Sequence, residues 1–262
     1  MVCSEPTHPA YGVLRPVTEA ASVLLCENPG VMTLDGTNTW VLRGRGSDEM
    51  VVVDPGPDDV AHIERVAALG RIAMVLISHR HGDHTDGIDR LVGATGAVVR
   101  SVGSGFLRGL GGPLSDGEVI DAAGLRITVL ATPGHTADSL CFLVDDAVLT
   151  ADTILGRGTT VIDAEDGSLA AYLESLRRLA GMGPRLVLPG HGPEVGNLAV
   201  VARMYLSHRE ERLEQIRRAL RTLGEDASAR QIVEHVYADV DEKLWDAAES
   251  SVRAQLAYLR RD

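Results

Sequence analysis

The chain has 262 residues, of which 45% are hydrophobic and 24% charged, and its formal net charge is −12. These values are ordinary for a globular protein and exclude a disordered or fibrous chain. The acidic balance argues against a protein that holds nucleic acid through bulk electrostatics. No stretch reaches the roughly 18 uninterrupted apolar residues that a membrane span needs. The N-terminus lacks a secretory pattern and the three cysteines are widely spaced, so we expect a cytoplasmic protein without disulfides.

Short hydrophobic runs alternate with turn residues through the first 197 positions. Runs rich in Val and Leu, bounded by Gly, Pro and Asp, are typical of strands. In chain order they predict strands over 17–25, 38–43, 49–53, 72–77, 97–101, 118–121, 125–130, 140–144, 147–150 and 186–188. Apolar residues that recur every three or four positions predict helices over 60–69 and 168–180.

Beyond Asn197 the pattern becomes wholly helical. An apolar stripe with helical spacing is formed by Leu213, Ile216, Leu220 and Leu223. Gly224 is a suitable residue to end that helix, and two further helices are predicted over about 228–238 and 241–260. We therefore expect two domains, a larger one over 1–197 and a small helical one over 198–262.

A histidine-dense segment follows the predicted strand over 72–77. It reads His79-Arg80-His81-Gly82-Asp83-His84, which places three imidazoles and a carboxylate within six residues. Alternate residues on an extended segment, such as His79 and His81, can point at one centre. Asp83 and His84 open the next helix and can face a second centre. An ordinary solvated loop rarely has this spacing directly after a buried strand, so the segment indicates a metal site.

Three more loops carry a metal-ligand side chain at the end of a short strand. They are Thr132-Pro133-Gly134-His135, Thr150-Ala151-Asp152 and Pro189-Gly190-His191-Gly192. Loops at one edge of a sheet are where a rigid scaffold presents functional groups. Each loop alone would be interpreted as a turn, but together with the histidine-dense segment they favour one shared site.

Five histidines and two aspartates suffice for two metal sites. We place His79, His81 and His135 on the first metal, and Asp83, His84 and His191 on the second. Asp152 would bridge both metals, because a carboxylate has two oxygens. Nitrogen-rich ligation suits two divalent ions, zinc first, with iron or manganese as alternatives. Two such ions about 3.5–4 Å apart can share a hydroxide that attacks a carbonyl or phosphoryl centre, which predicts a hydrolase. Asp83 is also a candidate catalytic residue that orients the nucleophile.

These motifs together resemble the metallo-β-lactamase superfamily. Asp54, before Pro55-Gly56, matches the superfamily's first motif, whose aspartate usually orients a ligand. The resemblance covers about residues 17–197. It implies an α/β (α+β) fold, a four-layer αβ/βα sandwich with the dimetal centre at one edge of two packed sheets. No cysteine lies in a ligand loop, so β-lactamase activity is not expected.

A finer resemblance is to the β-lactamase-like protein 2 branch of this superfamily. It rests on four segments, at 28–30, 33–40, 154–161 and 207–209. That branch pairs the hydrolase domain with a small all-helical, winged-helix-like C-terminal segment. Animal members are endoribonucleases that act on single-stranded RNA, so the resemblance implies such a substrate here.

Four further residues are candidates for contact with the substrate. Asn38 and Thr160 lie in the segments of the finer resemblance, where they either face the substrate or hold a loop. His208 and Arg209 can reach the cleft from the first helix of the tail, where a substrate phosphate would suit them. His208 is therefore a second candidate catalytic residue.

Several functions stay open from the sequence. We rank a phosphodiesterase acting on single-stranded RNA slightly ahead of a thioester or ester hydrolase similar to glyoxalase II, which shares the metal motifs. The net charge of −12 and the content of two Phe, two Trp and five Tyr count against tight RNA binding. A non-catalytic binding module and a redox diiron protein rank lower, because all seven ligands are present and no dinucleotide fingerprint accompanies them.

Overall fold

The computed structural model describes residues 8–163, 165–238 and 241–260. Within them, eleven strands form two sheets. The first sheet has the order β1-β2-β3-β4-β5-β6, with bounds Leu14–Pro16, Ala21–Leu25, Asn38–Leu42, Glu49–Val53, Arg71–Leu76 and Val98–Arg100. The second has the order β11-β10-β9-β8-β7; from β7 to β11 the bounds are Val119–Ala122, Leu125–Ala131, Leu140–Val144, Ala147–Ala151 and Leu186–Pro189.

Seven α-helices complete the described part of the chain. From α1 to α7 they are Val60–Ala68, Gly82–Thr85, Ile88–Thr95, Leu169–Gly181, Leu198–Leu223, Ala229–Val236 and Trp245–Leu259. Short 3₁₀ turns lie at Ser104–Phe106 and Glu242–Leu244. Among the described residues, no helix has both the length and the apolar character that crossing a bilayer requires.

The two sheets pack face to face through one hydrophobic core. Side chains alternate along each strand, so Trp40 and Leu42 of β3 enter this core together with Phe142 of β9, whereas Val41 faces the other way. On that outer side of the first sheet, Val41 packs with buried residues of α1 and α3, such as Ile63. Both faces of the sheet are therefore buried, which explains the nearly continuous apolar runs of its strands.

Helices α4 and α5 cover the outer face of the second sheet. Tyr172 of α4 packs there with Cys141 of β9 and Val148 of β10. Cys141 is fully buried in this core. The layers therefore follow one another as helix, sheet, sheet and helix, and the four-layer αβ/βα sandwich implied by the resemblance is confirmed.

The predicted strand over 17–25 was wrong at its beginning, because residues 17–20 form a tight turn instead. The backbone N–H groups of Val17 and Thr18 both donate to the carbonyl of Ala21. The Thr18 hydroxyl in turn accepts the N–H groups of Ala20 and Ala21. Local hydrogen bonds of this kind compete with a β-ladder. The edge strand β1 and the short helix α3 were not predicted from the sequence.

The predicted boundary at 198 coincides with the start of α5, whose N-cap is Asn197. The first half of α5 packs in the core beneath the second sheet, through residues that include Leu198, Val201 and Tyr205. The second half packs in a separate core with α6 and α7, through residues that include Ile216, Val233 and Val252. The change from one core to the other thus falls inside α5, and the division into 1–197 and 198–262 stays a prediction.

Acid pH is expected to weaken the fold through His62. This side chain is only 2% exposed, and its Nε2 lies 2.8 Å from the hydroxyl oxygen of Thr39. Burial lowers the pKa of His62 to about 4, whereas an unfolded histidine titrates near about 6.5. The unfolded state therefore binds more protons in this window, so the stability present above pH ~6.5 is lost as the pH falls toward ~4.

Between pH ~7.5 and ~5, the unsubstituted protein should lose about 2 kcal/mol more of its free energy of unfolding than the His62→Leu variant does. Urea titrations with chelator at both pH values measure this difference. His235→Leu, at an exposed position of α6, serves as the control. Equal losses in the His62 variant and the unsubstituted protein would show that His62 does not cause the acid sensitivity.

Candidate metal centre

The predicted metal ligands meet at one edge of the two sheets. His79 and His81 leave β5, and Asp83 and His84 lie on α2, directly after them. The other three ligands follow strands of the second sheet: His135 after β8, Asp152 after β10 and His191 after β11. Backbone hydrogen bonds join the two sheets at this edge, from Leu140 N–H to the Ser78 carbonyl and from Asn38 N–H to the Gly190 carbonyl, both 2.8 Å.

Three histidines form the first ligand cluster. Nδ1 of His81 lies 3.1 Å from Nε2 of His79 and 3.0 Å from Nε2 of His135. The three nitrogens all lie within 4.8 Å of one another, which is the spacing of donors around one metal ion. The structure thus brings together the residues predicted for the first metal.

The second cluster consists of Asp83, His84 and His191. Nε2 of His191 lies 3.1 Å from Nε2 of His84 and 3.1 Å from Oδ2 of Asp83. The predicted ligands of the second metal are therefore adjacent as well.

The carboxylate of Asp152 lies between the two clusters. Its Oδ1 is 3.4 Å from Nε2 of His191 and 3.5 Å from Nε2 of His84, while its Oδ2 is 3.7 Å from Nε2 of His135. Among the described residues, Oδ1 is buried and has no hydrogen-bond partner. Because an unpartnered buried carboxylate oxygen is unfavourable without a cation, this observation fits a metal that the two clusters share through Asp152.

Each ligand histidine directs its other ring nitrogen toward an oxygen outside the cluster. The pairs are His79 with Ser78 Oγ (2.9 Å), His81 with Asp163 Oδ2 (2.8 Å), His84 with Asp54 Oδ2 (2.9 Å), His135 with the Val161 carbonyl (2.6 Å) and His191 with the Gly36 carbonyl (3.1 Å). These oxygens accept, so the outer nitrogens carry protons, and in the neutral form of each ring the inner nitrogen presents a lone pair. Facing lone pairs about 3 Å apart repel unless a cation lies between them, which also fits a metal site.

The electrostatics give His79 and Asp152 the protonation states that metal ligands need, whereas Asp152, against the effect of burial, raises the pKa values of His84 and His191, which lose their extra protons when a metal binds. Burial holds the pKa of His79 well below its ordinary value, and neighbouring His84 lowers it further. Burial alone would raise the pKa of Asp152, but His191 and His84 keep it well below its usual range. His79 is therefore neutral and Asp152 ionised at neutral pH.

Asp54 lies where the first motif of the resemblance would place it. Its Oδ2 is within 2.9 Å of Nδ1 of His84 and accepts the Ser78 hydroxyl at 2.6 Å, while its Oδ1 accepts the Ser78 backbone N–H at 2.8 Å. Since Ser78 also lies against His79, one carboxylate orients a ligand in each cluster. Ser78 was not predicted from the sequence.

The structure places Asn38, Thr160 and Arg209 in loop-holding contacts. Asn38 donates from Nδ2 to the carbonyls of Pro189 and Gly192 and so clamps the loop of His191. Thr160 Oγ1 lies 3.4 Å from Nδ1 of His135. Arg209 is 3% exposed and donates to the Thr160 carbonyl, with its guanidinium 5.2 Å from the centre of the Tyr172 ring.

His208 lies on helix α5. It lines a cavity beside Thr160 and belongs to neither ligand cluster among the described residues. Its predicted catalytic role stays a prediction.

Asp163 is a supporting residue that was not predicted from the sequence. Its Oδ2 lies 2.8 Å from Nε2 of His81 and accepts Nη2 of Arg80 at 2.6 Å. Arg80, inside the histidine-dense segment, thereby fixes the carboxylate that orients the next ligand. Asp163 lies in an irregular loop without periodicity. Its position two residues beyond the segment 154–161 was the one feature of the sequence that could have identified it as part of the site.

We expect Asp163→Ala to weaken metal binding by about 10- to 100-fold, because carboxylates behind ligand histidines typically contribute that much. Competition with a chelator of known affinity measures the change. Asp166→Ala is the matched control, since Asp166 contacts the same Arg80 at 3.3 Å but is not paired with a ligand histidine among the described contacts. Equal affinities of the two variants would contradict an orienting role.

Comparisons with known proteins agree with this architecture. Residues 32–191 match the Metallo-beta-lactamase superfamily, and residues 228–262 match the Beta-lactamase associated winged helix domain. A Beta-lactamase domain protein from Burkholderia ambifaria superimposes with a TM-score of 0.83 at 22% identity, over 97% of this chain and 90% of that one. The predicted sandwich with a winged-helix-like C-terminal segment is thus confirmed.

Two curated relatives are similar in sequence. The Lactamase-like protein nscB of Trichophyton rubrum is 32% identical over 218 residues, which cover 80% of this chain but 63% of that protein, less than two thirds of its length. The Atrochrysone carboxyl ACP thioesterase of Aspergillus fumigatus is 30% identical over 269 residues, covering 92% of this chain and 81% of that protein. The finer resemblance to the endoribonuclease-like branch is not confirmed by these relatives. The chain itself belongs to the metallo-beta-lactamase superfamily.

Proposed function

We propose that the protein is a dimetal hydrolase of acyl thioesters, including acyl groups attached to a carrier protein. The convergence of seven ligand side chains, with the buried Oδ1 of Asp152 lacking a partner among the described residues, carries the hydrolase part of this proposal. The similarity to a carboxyl ACP thioesterase over 92% of the chain supports the thioester part. This order reverses the expectation from the sequence, in which RNA ranked first because of the finer resemblance.

The candidate ligands have three proposed roles, which are to hold the metal ions, to bridge them and to orient the reacting water. The two clusters would hold one divalent ion each, and Asp152 would contact both. When bound, two such ions polarise a carbonyl and supply a nucleophile from water at neutral pH. We propose zinc, with iron or manganese as alternatives, because imidazole with carboxylate suits all three.

Asp83 is the ligand that we propose also touches the reacting water. Its side chain is 28% exposed, compared with 11% for Asp152, so Asp83 can reach a substrate in the cleft. A carboxylate at this place can accept a hydrogen bond from water and direct its lone pair toward the thioester carbonyl. The same carboxylate would take a proton from the attacking water and pass it to the sulfur of the departing thiol, so that the hydrolysis balances.

Single-stranded RNA stays the second candidate substrate. The segments of the finer resemblance favour it, while the net charge of −12 counts against it. A cytoplasmic location is part of the same proposal, since Cys26 and Cys141 are buried free thiols, which suit a reducing compartment.

A parallel hydrolysis assay tests the proposal. Metal-loaded protein is incubated with hexanoyl-S-pantetheine, S-lactoylglutathione, an acyl carrier protein loaded with hexanoate, and single-stranded RNA, each with and without chelator. We expect chelator-sensitive release of free thiol, detected with a thiol reagent. Chelator-sensitive cleavage of RNA without thiol release would replace the thioesterase proposal by the second candidate.

A further inference from the structure

A cavity of about 220 Å³ lies beside the metal centre, between the loop after β10 and the C-terminal helices. Its walls include residues 159–161, three side chains of α5 and the side of α7 that faces them. The carbonyl of Val161, in this wall, is the acceptor for Nδ1 of His135 at 2.6 Å. The same loop thus supports a ligand of the first cluster on one side and bounds the cavity on the other.

The α5 wall of this cavity is rich in nitrogen donors. It consists of His208, Arg209 and Arg212. Arg209 is 3% exposed, yet its Nε has no hydrogen-bond partner among the described residues, and neither has the buried Nδ1 of His208. Within the part of the chain that the structure describes, none of the lining residues is Asp or Glu. A buried guanidinium N–H without an acceptor is unfavourable, so Arg209 lacks an anionic partner in this wall.

The remaining walls are mainly apolar. They are formed by Val161, Tyr237, Leu244, Ala247 and Ala248, with the hydroxyls of Thr159, Thr160 and Ser251. The guanidinium of Arg212 lies 4.6 Å from the centre of the Tyr237 ring and donates to Gln215 at 2.7 Å, so it is held in place against the cavity. A positioned arginine of this kind binds carboxylates and phosphates well.

We propose that this cavity binds an anionic oxygen group of the substrate, a carboxylate or a phosphate, next to an apolar portion of the same molecule. The inference rests on the proposed thioesterase function and narrows its substrate class. Two sources of the anion are consistent with the chemistry. One is a carboxylate at the far end of the acyl group, and the other is the phosphate of a phosphopantetheine arm.

Steady-state kinetics of the metal-loaded full chain with three thioesters distinguish the two sources of the anion. Hexanoyl-S-pantetheine has neither anion, adipoyl-S-pantetheine adds a carboxylate to an acyl chain of equal carbon number, and hexanoyl-S-phosphopantetheine adds a phosphate. We expect Arg212→Gln to raise KM for one anionic thioester at least about tenfold more than KM for the neutral one. The thioester that shows the excess identifies the source of the anion.

Arg218→Gln is the matched control, because Arg218 lies on an exposed face of the same helix. It should change KM for the three thioesters by a common factor. If Arg212→Gln also changes all three by a common factor, the cavity does not recognise an anion and the inference is overturned.

A second measurement does not depend on thioesterase activity. Burial, with Arg209 and Arg212, lowers the pKa of His208, while Glu211 raises it. An anion in the cavity should raise the pKa of His208, followed by its ring signals in NMR and assigned with His208→Gln. Adipate and phosphopantetheine are the two probes. An upward shift that Arg212→Gln abolishes supports the cavity even if no thioester is hydrolysed, and the absence of a shift with both probes overturns it.

Discussion

Asp152→Asn is expected to abolish metal-dependent hydrolysis while leaving the fold intact. Its two oxygens face the two clusters, at 3.4 Å from His191 and 3.7 Å from His135. An amide has one acceptor oxygen and no charge, so it cannot bridge two cations. Loss of residues behind a ligand already reduces metal affinity or activity about 10- to 100-fold, so we expect loss of the shared ligand to reduce turnover roughly 1000-fold or more.

The test of Asp152→Asn combines elemental analysis with turnover. We expect the metal content to fall from about two ions per chain to one or none, with an unchanged circular dichroism spectrum. Asp146→Asn, the same substitution on an exposed side chain that contacts Arg185, should retain both metals. Two bound metals together with full turnover in Asp152→Asn would refute the bridging role.

Gly190→Ala should have the second-largest effect, through a clash with the centre itself. A Cβ on Gly190 would lie 2.6 Å from Oδ1 of Asp152 and 2.9 Å from Cε1 of His84. The backbone cannot move away, because the Gly190 N–H donates to the Ala151 carbonyl at 2.9 Å and its carbonyl accepts from Asn38 at 2.8 Å. Overpacking of this kind destabilises by about 1–3 kcal/mol. We expect it to displace Asp152 and to reduce metal content and turnover together.

Gly196→Ala is the control for this substitution, since a Cβ there would meet nothing within 4 Å. Metal content and the free energy of unfolding are compared for the two alanine variants and the unsubstituted protein. A Gly190→Ala protein with two metals and normal turnover would show that the close approach of this loop to the ligands is not required.

The convergence of the candidate ligands was predictable from sequence because each ligand-bearing segment follows a short buried strand. His79, His135 and His191 are fixed by local rules: an apolar run, a turn, and a side chain at the strand end. The two sheets then bring those ends to one edge. Asp163 and Ser78 were not predictable in the same way, because their importance comes from contacts with ligand side chains and not from any periodic pattern.

The motifs could not predict the substrate, for a different reason. The seven candidate ligands would specify how water and a carbonyl or phosphoryl group are activated, and this chemistry is common to several classes of substrate. Selection among them depends on surfaces such as the cavity at Arg212, built from α5 and α7 at sequence positions far from the ligands. The continuity of α5 through two cores, with Tyr205 in one and Ile216 in the other, likewise appears only when the helices are packed.

The distribution of the ligands between the two halves of the sandwich has a consequence for folding. The first half supplies His79 and His81 to one cluster, and Asp83 and His84 to the other, but His135 and His191 come from the second half. Neither half alone holds a complete set of donors for either ion. Two separately expressed halves would therefore bind metal ions tightly only after they reassociate. Bound metal would then report directly that the two halves have docked correctly.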